Sequence, residues 1–174
     1  MTVSMAQPDS HTRPAAVAIL AAGQGTRMRS ARPKVLHEIA HAPMLHHAMR
    51  AGLALAPERL AVVVGHGGEA VGAAARVLAP GARVCLQAER RGTGHAVLAA
   101  AGALAGFEGD LYVLFADTPF IRPETLTRMA AARADGAELV VRGFHAEPPG
   151  GYGRLVLGRG DQLERIVEAR DATP

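Results

Sequence analysis

The segment LAAGQGTRM, Leu20 to Met28, decides the fold that we expect for this chain of 174 residues. It follows an apolar run, so Gly23 and Gly25 stand where a strand would turn at its carboxyl end. Ligands of open α/β sheets bind at that edge. A dinucleotide fingerprint needs a third glycine where Met28 stands, and the Gly-Lys-Ser/Thr of a P-loop is absent from the sequence. The loop therefore predicts a nucleotide site of another kind.

Two basic residues accompany this loop. Arg27 belongs to it, and Lys34 follows seven residues later as the only lysine of the chain. Small residues let backbone amides approach a base or a phosphate, and two fixed cations can neutralise a triphosphate. The alternative is an ordinary strand-to-helix turn with solvated cations, and the glycines alone leave both interpretations open.

Beyond the loop, short apolar runs alternate with longer amphipathic segments, which predicts crossover units around a mostly parallel sheet. We expect strands at 16–21, 60–64, 83–87, 111–116 and 138–142. We expect helices at 44–55, 69–78, 94–105 and 123–134. Two later runs, 154–157 and 163–167, are typical of a hairpin. The fold class is therefore α/β, a three-layer Rossmann-like arrangement with a small β-hairpin extension.

Composition and charge exclude several classes of protein. With 49% hydrophobic residues the chain can bury a core, and we expect one domain at 15–174 after a disordered leader at 1–14. The net charge of +3 is not gathered into a basic tract, so we expect no nucleic-acid partner. The longest apolar stretch, 96–107, is shorter than the roughly 20 residues of a membrane span. A single cysteine, Cys85, suits a reducing compartment, so we expect a cytoplasmic protein without a membrane partner.

Further motifs follow the loop in a fixed order: PKVLHEIA (33–40), QAERRGTGHA (87–96), FADTPFI (115–121), GYGR (151–154) and IVEARDAT (166–173). From residue 17 to residue 173 the chain resembles bacterial N-acetylglucosamine-1-phosphate uridylyltransferases, in which this domain is the amino-terminal half of a bifunctional enzyme. The resemblance implies the nucleotide-diphospho-sugar transferase fold. It also implies uridylyl transfer from UTP to N-acetylglucosamine 1-phosphate, which supplies precursors of peptidoglycan and lipopolysaccharide.

The same resemblance implies roles for the matching residues. Those that would bind the nucleotide are Leu20, Ala21, Ala22, Gly23, Gly25, Lys34, Gln87, Gly92, Thr93, Phe115 and Asp117. Arg27 and Lys34 would be the catalytic cations, Asp117 would hold Mg²⁺, and Gly153 and Glu168 would bind the sugar. The chemistry is compatible, because a glutamine amide can read the uracil edge and Mg²⁺ takes one or two carboxylates besides phosphates and water. On the residues alone, a helix cap or turn residue before Pro119 is the favoured interpretation of Asp117, and Glu168 is just as plausibly a surface residue.

Three departures from the family pattern change these expectations. Phe115-Ala116 replaces the usual Tyr-Gly, which removes a hydroxyl and adds a methyl that we expect close to the nucleotide. His41 stands where a glycine is common, in an expected surface turn. The chain ends at Pro174, whereas the family's domain continues for several tens of residues. Without hexapeptide repeats we expect no acetyltransferase activity and a monomer. If the 174 residues are the whole molecule, the absence of the rest of the domain predicts weak UTP binding and slow turnover.

Other interpretations remain open. A cytidylyltransferase for a polyol phosphate would share the AAG loop and the Pro-Lys pair, although GTGHA, GYGR and IVEARDAT argue against it. A noncatalytic nucleotide-binding fragment is a third possibility. Four histidines, His37, His41, His46 and His47, are interpreted as a solvated loop and helix face rather than a zinc site. We expect His95 to orient its loop without being catalytic.

Overall fold

The computed structural model describes residues 13–23, 25, 28–89, 91–148 and 150–172. The chain divides into two units, Met1–Ala137 and Glu138–Pro174. The first unit contains β1 (Ala15–Leu20), β2 (Glu38–Ile39), β3 (Ala42–Pro43), α1 (Met44–Leu53), β4 (Arg59–Val64), α2 (Glu69–Leu78), β5 (Arg83–Leu86), α3 (Thr93–Ala99), α4 (Ala101–Leu104), β6 (Asp110–Phe115) and α5 (Pro123–Ala134). The second contains β7 (Arg154–Leu157) and β8 (Leu163–Val167).

Four of the described strands form a parallel sheet in the order β5-β4-β1-β6. Alternate residues of β1 and β4 point to opposite faces of the sheet, as strand geometry requires. On one face they pack with apolar residues of α1, α2 and α5, such as Met49, Ala75 and Leu126. On the other face Leu20 and Val63 pack with residues of α3 and α4. The expected three-layer α/β fold is therefore confirmed.

Most of the predicted elements have nearly the expected bounds. Helices α2 and α5 and both hairpin strands match the prediction at each end, and Cys85 lies in β5 as expected. The predicted helix 94–105 is interrupted at Ala100, between α3 and α4. The short hairpin of β2 and β3 was not predicted, because two residues per strand are too few to show an alternating pattern.

The predicted strand at 138–142 is wrong. In the described part of the chain this run forms no strand, and Leu139 and Val141 are exposed. An apolar run becomes a strand only where a neighbouring strand accepts its backbone hydrogen bonds, and β6 pairs with β1 alone among the described residues. A hydrophobic pattern is therefore not sufficient to form a strand when no neighbouring strand pairs with it.

An ion-pair network centred on the buried carboxylate of Asp110 holds the amino end of β6. The carboxylate of Asp110 is 9% exposed, and its Oδ1 accepts hydrogen bonds from Nε and Nη2 of Arg133 at 3.1 and 3.0 Å. Arg13 Nε lies 3.2 Å from the same oxygen. The backbone N–H of Asp110 donates to the carbonyl of Pro14 at 2.8 Å. The network thereby ties the end of α5 and the approach to β1 to the start of β6.

The second unit is built on the antiparallel pair β7 and β8. Phe144 and Tyr152 form an edge-to-face aromatic contact with ring centroids 4.9 Å apart. The expectation of a single domain at 15–174 stays a prediction. The expected leader at 1–14 lies outside the described residues apart from Arg13 and Pro14. In the part of the chain that the structure describes, no helix has the length and apolar character needed to cross a membrane.

Candidate nucleotide site

The carboxyl ends of the four parallel strands meet at one edge of the sheet. The chain passes from β1 to β4 and β5 on one side of β1, whereas β6 lies on the other side. The strand order therefore reverses between β1 and β6. In open α/β sheets the crevice at such a reversal is where ligands bind. The loop after β1 and the turn after β6 flank this crevice.

The loop after β1 leaves the sheet through small residues. Leu20 and Ala21 are buried, and the backbone N–H of Ala21 donates to the carbonyl of Val63 at 2.8 Å. Ala22 is half-buried and Gly23 is exposed. A Cβ at Gly23 would meet no atom of the described residues within 4 Å, so the glycine leaves space beside the backbone with respect to that part of the chain. The predicted cation Arg27 lies outside the described residues.

Gly25 allows the loop to pack against Lys34. Its φ is +59°, in the left-handed region that favours glycine, and a Cβ there would collide with Cβ of Lys34. Lys34 opens a 3-10 turn, Lys34–Leu36, in which Val35 and Leu36 are buried. These two apolar side chains anchor the backbone of Lys34. The glycine and the buried turn together fix where the lysine side chain begins.

Lys34 reaches the residue predicted to hold the metal. Its Nζ donates to Oδ2 of Asp117 at 2.8 Å, and the two side chains are 35% and 39% exposed. Asp117 follows β6, and the N–H of Thr118 donates to the carbonyl of Phe115 at 3.1 Å. Asp117 is thus a turn residue whose carboxylate also faces the crevice. Because both groups remain partly solvated, the ion pair contributes little to stability and stays accessible.

The methyl group of Ala116 does not lie where we expected it, close to the nucleotide. The residue is fully buried and belongs to the core cluster on the α1 side of the sheet. It continues the alternation of Tyr112 and Leu114, which are also buried, whereas Phe115 points to the opposite face and is 44% exposed. The added methyl therefore fills the core and is not available to a nucleotide, because strand periodicity assigns it to the inner face.

Gln87 follows β5 at the same edge of the sheet and is 4% exposed. Its backbone N–H donates to the carbonyl of Val64 at 2.8 Å. Its side-chain Nε2 lies 3.2 Å from the carbonyl oxygen of Gly92 and 3.3 Å from Nδ1 of His95. Gly92 has a φ of +94° and precedes Thr93, the first residue of α3. The structure thus brings Gln87, Gly92 and His95 together, and His95 does contact its loop as expected.

Gly153 and Glu168, the expected sugar-binding residues, lie in the second unit and are exposed. Arg154 of β7 pairs with Val167 of β8. Gly153 immediately precedes this pair and Glu168 immediately follows it, so both residues lie at the same end of the hairpin. Their role stays a prediction.

The four histidines were expected to form a solvated loop and helix face, and this is wrong for three of them. His37 is half-buried, and its Nε2 is buried without a hydrogen-bond partner among the described residues. Nε2 of His46 donates to the carbonyl of Ala74 in α2 at 2.8 Å, and Nε2 of His47 donates to the carbonyl of Ile39 at 2.7 Å. Both are half-buried because α1 packs against these neighbours. His41 is in an exposed turn, as expected, and φ is positive at both Ala40 and His41.

Asp117 is chemically suited to a magnesium ion shared with a nucleotide. Mg²⁺ commonly takes one or two carboxylates and completes its shell with phosphate oxygens and water. Within the described ranges, no group of three histidine, cysteine or acidic side chains could hold a metal by itself. A partly exposed carboxylate beside a crevice fits a cation that arrives with phosphates better than it fits a protein-enclosed metal site.

Comparison with known proteins places the chain among nucleotidyltransferases, in agreement with the site described above. Residues 17–173 match the MobA-like NTP transferase domain family. Over 159 residues the chain is 62% identical to the bifunctional protein GlmU of Dinoroseobacter shibae, a match that covers 91% of the chain and 35% of the relative. The chain therefore spans about a third of that relative's length.

Two solved structures resemble the chain at low sequence identity. A UDP-glucose pyrophosphorylase complexed with UDP-glucose has a TM-score of 0.63 at 21% identity, covering 89% of this chain and 69% of that one. Rv0371c of Mycobacterium tuberculosis, complexed with manganese, has a TM-score of 0.55 at 20% identity, covering 70% and 60%. These likenesses establish a shared fold.

Proposed function

The chain belongs to the MobA-like NTP transferase domain family, and we propose that it transfers the uridylyl group of UTP to N-acetylglucosamine 1-phosphate. The products are UDP-N-acetylglucosamine and pyrophosphate. The observation that carries this proposal is the contact between Lys34 and Asp117 at the crevice beside the glycine loop. A cation and a carboxylate at that edge suit a triphosphate and its metal ion. The resemblance in the motifs to uridylyltransferases supports the particular substrates.

The reaction needs no protein nucleophile, because the acceptor phosphate is already an anion. One of its oxygens attacks the α-phosphorus of UTP and forms a new P–O bond. The bond from the α-phosphorus to the oxygen that bridges to the β-phosphate breaks, and pyrophosphate leaves with that electron pair. Catalysis then consists of aligning two anions and neutralising the charge that develops on the leaving group. Lys34 would neutralise this charge, and Arg27 is proposed to assist it.

Asp117 would hold Mg²⁺, which would supply further positive charge at the phosphates when bound. The manganese complex of Rv0371c agrees with a divalent cation in a protein of this fold. Asp117 contacts Lys34 through Oδ2, so its other oxygen could also accept the metal, and an exchange of the Lys34 contact would leave the Lys34 ammonium available to the phosphates. The partial exposure of both side chains makes this exchange inexpensive in desolvation.

The remaining residues would bind the two ends of the substrates. Leu20 to Gly23 would present backbone to the nucleoside, and no described residue fills the space beside Gly23. Gln87, Gly92 and Thr93 would contain the uracil base. Gly153 and Glu168 would bind the N-acetylglucosamine moiety. The cytoplasmic location and the monomeric state of the protein stay predictions.

A pyrophosphate-release assay with UTP, Mg²⁺ and N-acetylglucosamine 1-phosphate tests the proposal. We expect release only when all three are present, and a fall of about 100-fold in Lys34→Met because a charge-neutralising group is lost. Arg128→Met, which removes an equal charge from an exposed position on α5, is the matched control and should keep the rate. Faster release with CTP would indicate a cytidylyltransferase instead. UTP binding without any release would indicate a noncatalytic nucleotide-binding protein.

A further inference from the structure

The side-chain amide of Gln87 is held by two partners that determine which way it faces. A backbone carbonyl can only accept a hydrogen bond, so the group of Gln87 that lies 3.2 Å from the Gly92 oxygen must be the NH₂. An NH₂ group has two hydrogens. The second is directed to Nδ1 of His95, 3.3 Å away. Nδ1 therefore acts as an acceptor, and the ring carries its proton on Nε2.

The two partners, Gly92 and His95, are themselves held in place by hydrogen bonds and packing. The carbonyl of Gly92 also accepts the backbone N–H of Ala96 at 3.2 Å, so both of its lone pairs are used. The φ of +94° at Gly92 is a conformation that few other residues adopt. His95 belongs to α3, which is packed on the sheet through the buried residue Ala96. The acceptors facing Gln87 are thus held by a turn and a helix, not by mobile side chains alone.

Because both amide hydrogens of Gln87 are used inside the loop, the amide atom left for a ligand is Oε1, which only accepts. We propose that His95 is a positioning residue that makes Gln87 an obligate acceptor toward the base of the nucleotide. This inference rests on the proposed function, in which the base lies at Gln87. The described residues leave space for a base beside Gly92 and Gly94, since a Cβ at either position would meet none of their atoms within 4 Å.

An acceptor at this point distinguishes between pyrimidines. Uracil carries a hydrogen on N3 and can donate it to Oε1, whereas cytosine has an unprotonated N3 whose lone pair would oppose that oxygen. An amide that could turn over would present NH₂ to cytosine and lose this discrimination. His95 would oppose the reversal together with Gly92, because a turned amide would place Oε1 against the Gly92 oxygen without a hydrogen between them and would also require the imidazole proton to move from Nε2 to Nδ1.

The test compares dissociation constants for UTP and CTP, measured by calorimetry with Mg²⁺ on the whole chain. His95→Leu removes the acceptor, and we expect the UTP preference to fall about tenfold, the effect of losing one oriented hydrogen bond. His95→Asn keeps an acceptor near the position of Nδ1 and should restore most of the preference. Leu98→Ala, at an exposed position of the same helix, is the control and should leave the preference unchanged.

The outcomes separate the two proposals. A wild-type chain without any preference for UTP would contradict the proposed function itself. A clear wild-type preference that is unchanged in His95→Leu would overturn the role of His95 alone, and so would a loss that His95→Asn fails to restore. A second readout needs no nucleotide: ¹⁵N spectra of the imidazole should show an unprotonated Nδ1 and a protonated Nε2. A protonated Nδ1 in the neutral ring would contradict the proposal.

Discussion

Asp110 and Asp117 stand at the two ends of β6 and show how differently one residue type can be used. At the amino end, the Asp110 carboxylate is 9% exposed and contacts two arginines, Arg133 and Arg13. At the carboxyl end, the Asp117 carboxylate is 39% exposed and contacts one lysine. Desolvation makes the first carboxylate dependent on its partners, whereas water can replace the partner of the second.

The difference between the two ends indicates a division of labour along one strand. The buried pair joins the end of α5 and the approach to β1 to the sheet, which stabilises the fold. The exposed pair lies in the crevice where the strand order reverses, where it can exchange one partner for another. We therefore expect substitutions at the carboxyl end to change nucleotide chemistry and substitutions at the amino end to change stability.

Asp117→Asn should have the largest effect. Pyrophosphate release should fall at least about 100-fold, because a metal-binding carboxylate is lost at the site of charge development. The increase in UTP affinity on adding Mg²⁺ should disappear, whereas metal-free UTP should bind as well as before or more tightly, since Lys34 is released. The free energy of unfolding should change by less than about 0.5 kcal/mol. Asp135→Asn, an equal charge change at an exposed position, is the control for titration calorimetry with and without Mg²⁺.

Asp110→Asn should have the opposite pattern of effects, a loss of stability with little change in UTP affinity. It leaves two arginines without their shared carboxylate, so the free energy of unfolding should fall by about 2–3 kcal/mol in urea denaturation. UTP affinity with Mg²⁺ should stay within about twofold of the wild type, since the change lies at the far end of the strand. Arg133→Gln provides a second variant of the same network. Equal losses of stability in the Asp110 and Asp117 variants would contradict the comparison.

Substitutions at two glycines of the loop, Gly23 and Gly25, test the role of the carboxyl end of the sheet in more detail. Gly25→Ala should lower the free energy of unfolding by about 1–2 kcal/mol, because an L residue is strained at its φ and the new Cβ meets Lys34. Its UTP affinity should fall as well. Gly23→Ala is the matched variant, because its added methyl meets no atom of the described residues, and it should cost less than about 0.5 kcal/mol. If Gly23→Ala also leaves UTP affinity unchanged, the nucleotide does not pass over this part of the loop.

The smallest effect is expected far from either end of β6, in the turn between β2 and β3. Ala40 and His41 both have positive φ, as a tight hairpin turn of this type requires. His41→Gly should therefore raise the free energy of unfolding by about 1 kcal/mol, a rise of roughly 3 °C in the melting temperature. Ala54→Gly, at a right-handed position after α1, should lower it instead. UTP affinity should change in neither variant.

The layered fold and the residues at the carboxyl edge could be predicted from the sequence for physical reasons. Each apolar run of the sheet has a partner strand, so periodicity and pairing agree, and parallel strands necessarily bring Gly23, Gln87 and Asp117 to one edge. The strand at 138–142 was predicted wrongly, because a hydrophobic pattern does not show whether a neighbouring strand is present to pair with it. The predicted sugar-binding role of Gly153 and Glu168 rested on motif resemblance.

Other features depend on geometry that no linear pattern contains. The burial of Ala116 is not among them, because the alternation that buries Tyr112 and Leu114 extends to it and is visible in the sequence. The contact between His95 and Gln87 joins a helix to the end of a strand, and the sequence indicates only that both residues share a motif. The two arginines on Asp110 come from distant parts of the chain.

Paramagnetic broadening of amide NMR signals by Mn²⁺ with UTP tests the central claim most directly, because the broadening falls off steeply with distance from the metal. The account predicts strong, UTP-dependent broadening at Ala22, Gly23, Lys34 and Asp117, with sharp signals retained at Asp110 and Arg133. Asp117→Asn should abolish the effect. Broadening centred on Asp110, or none at the carboxyl edge when UTP is bound, would contradict the assignment of this edge as the nucleotide site.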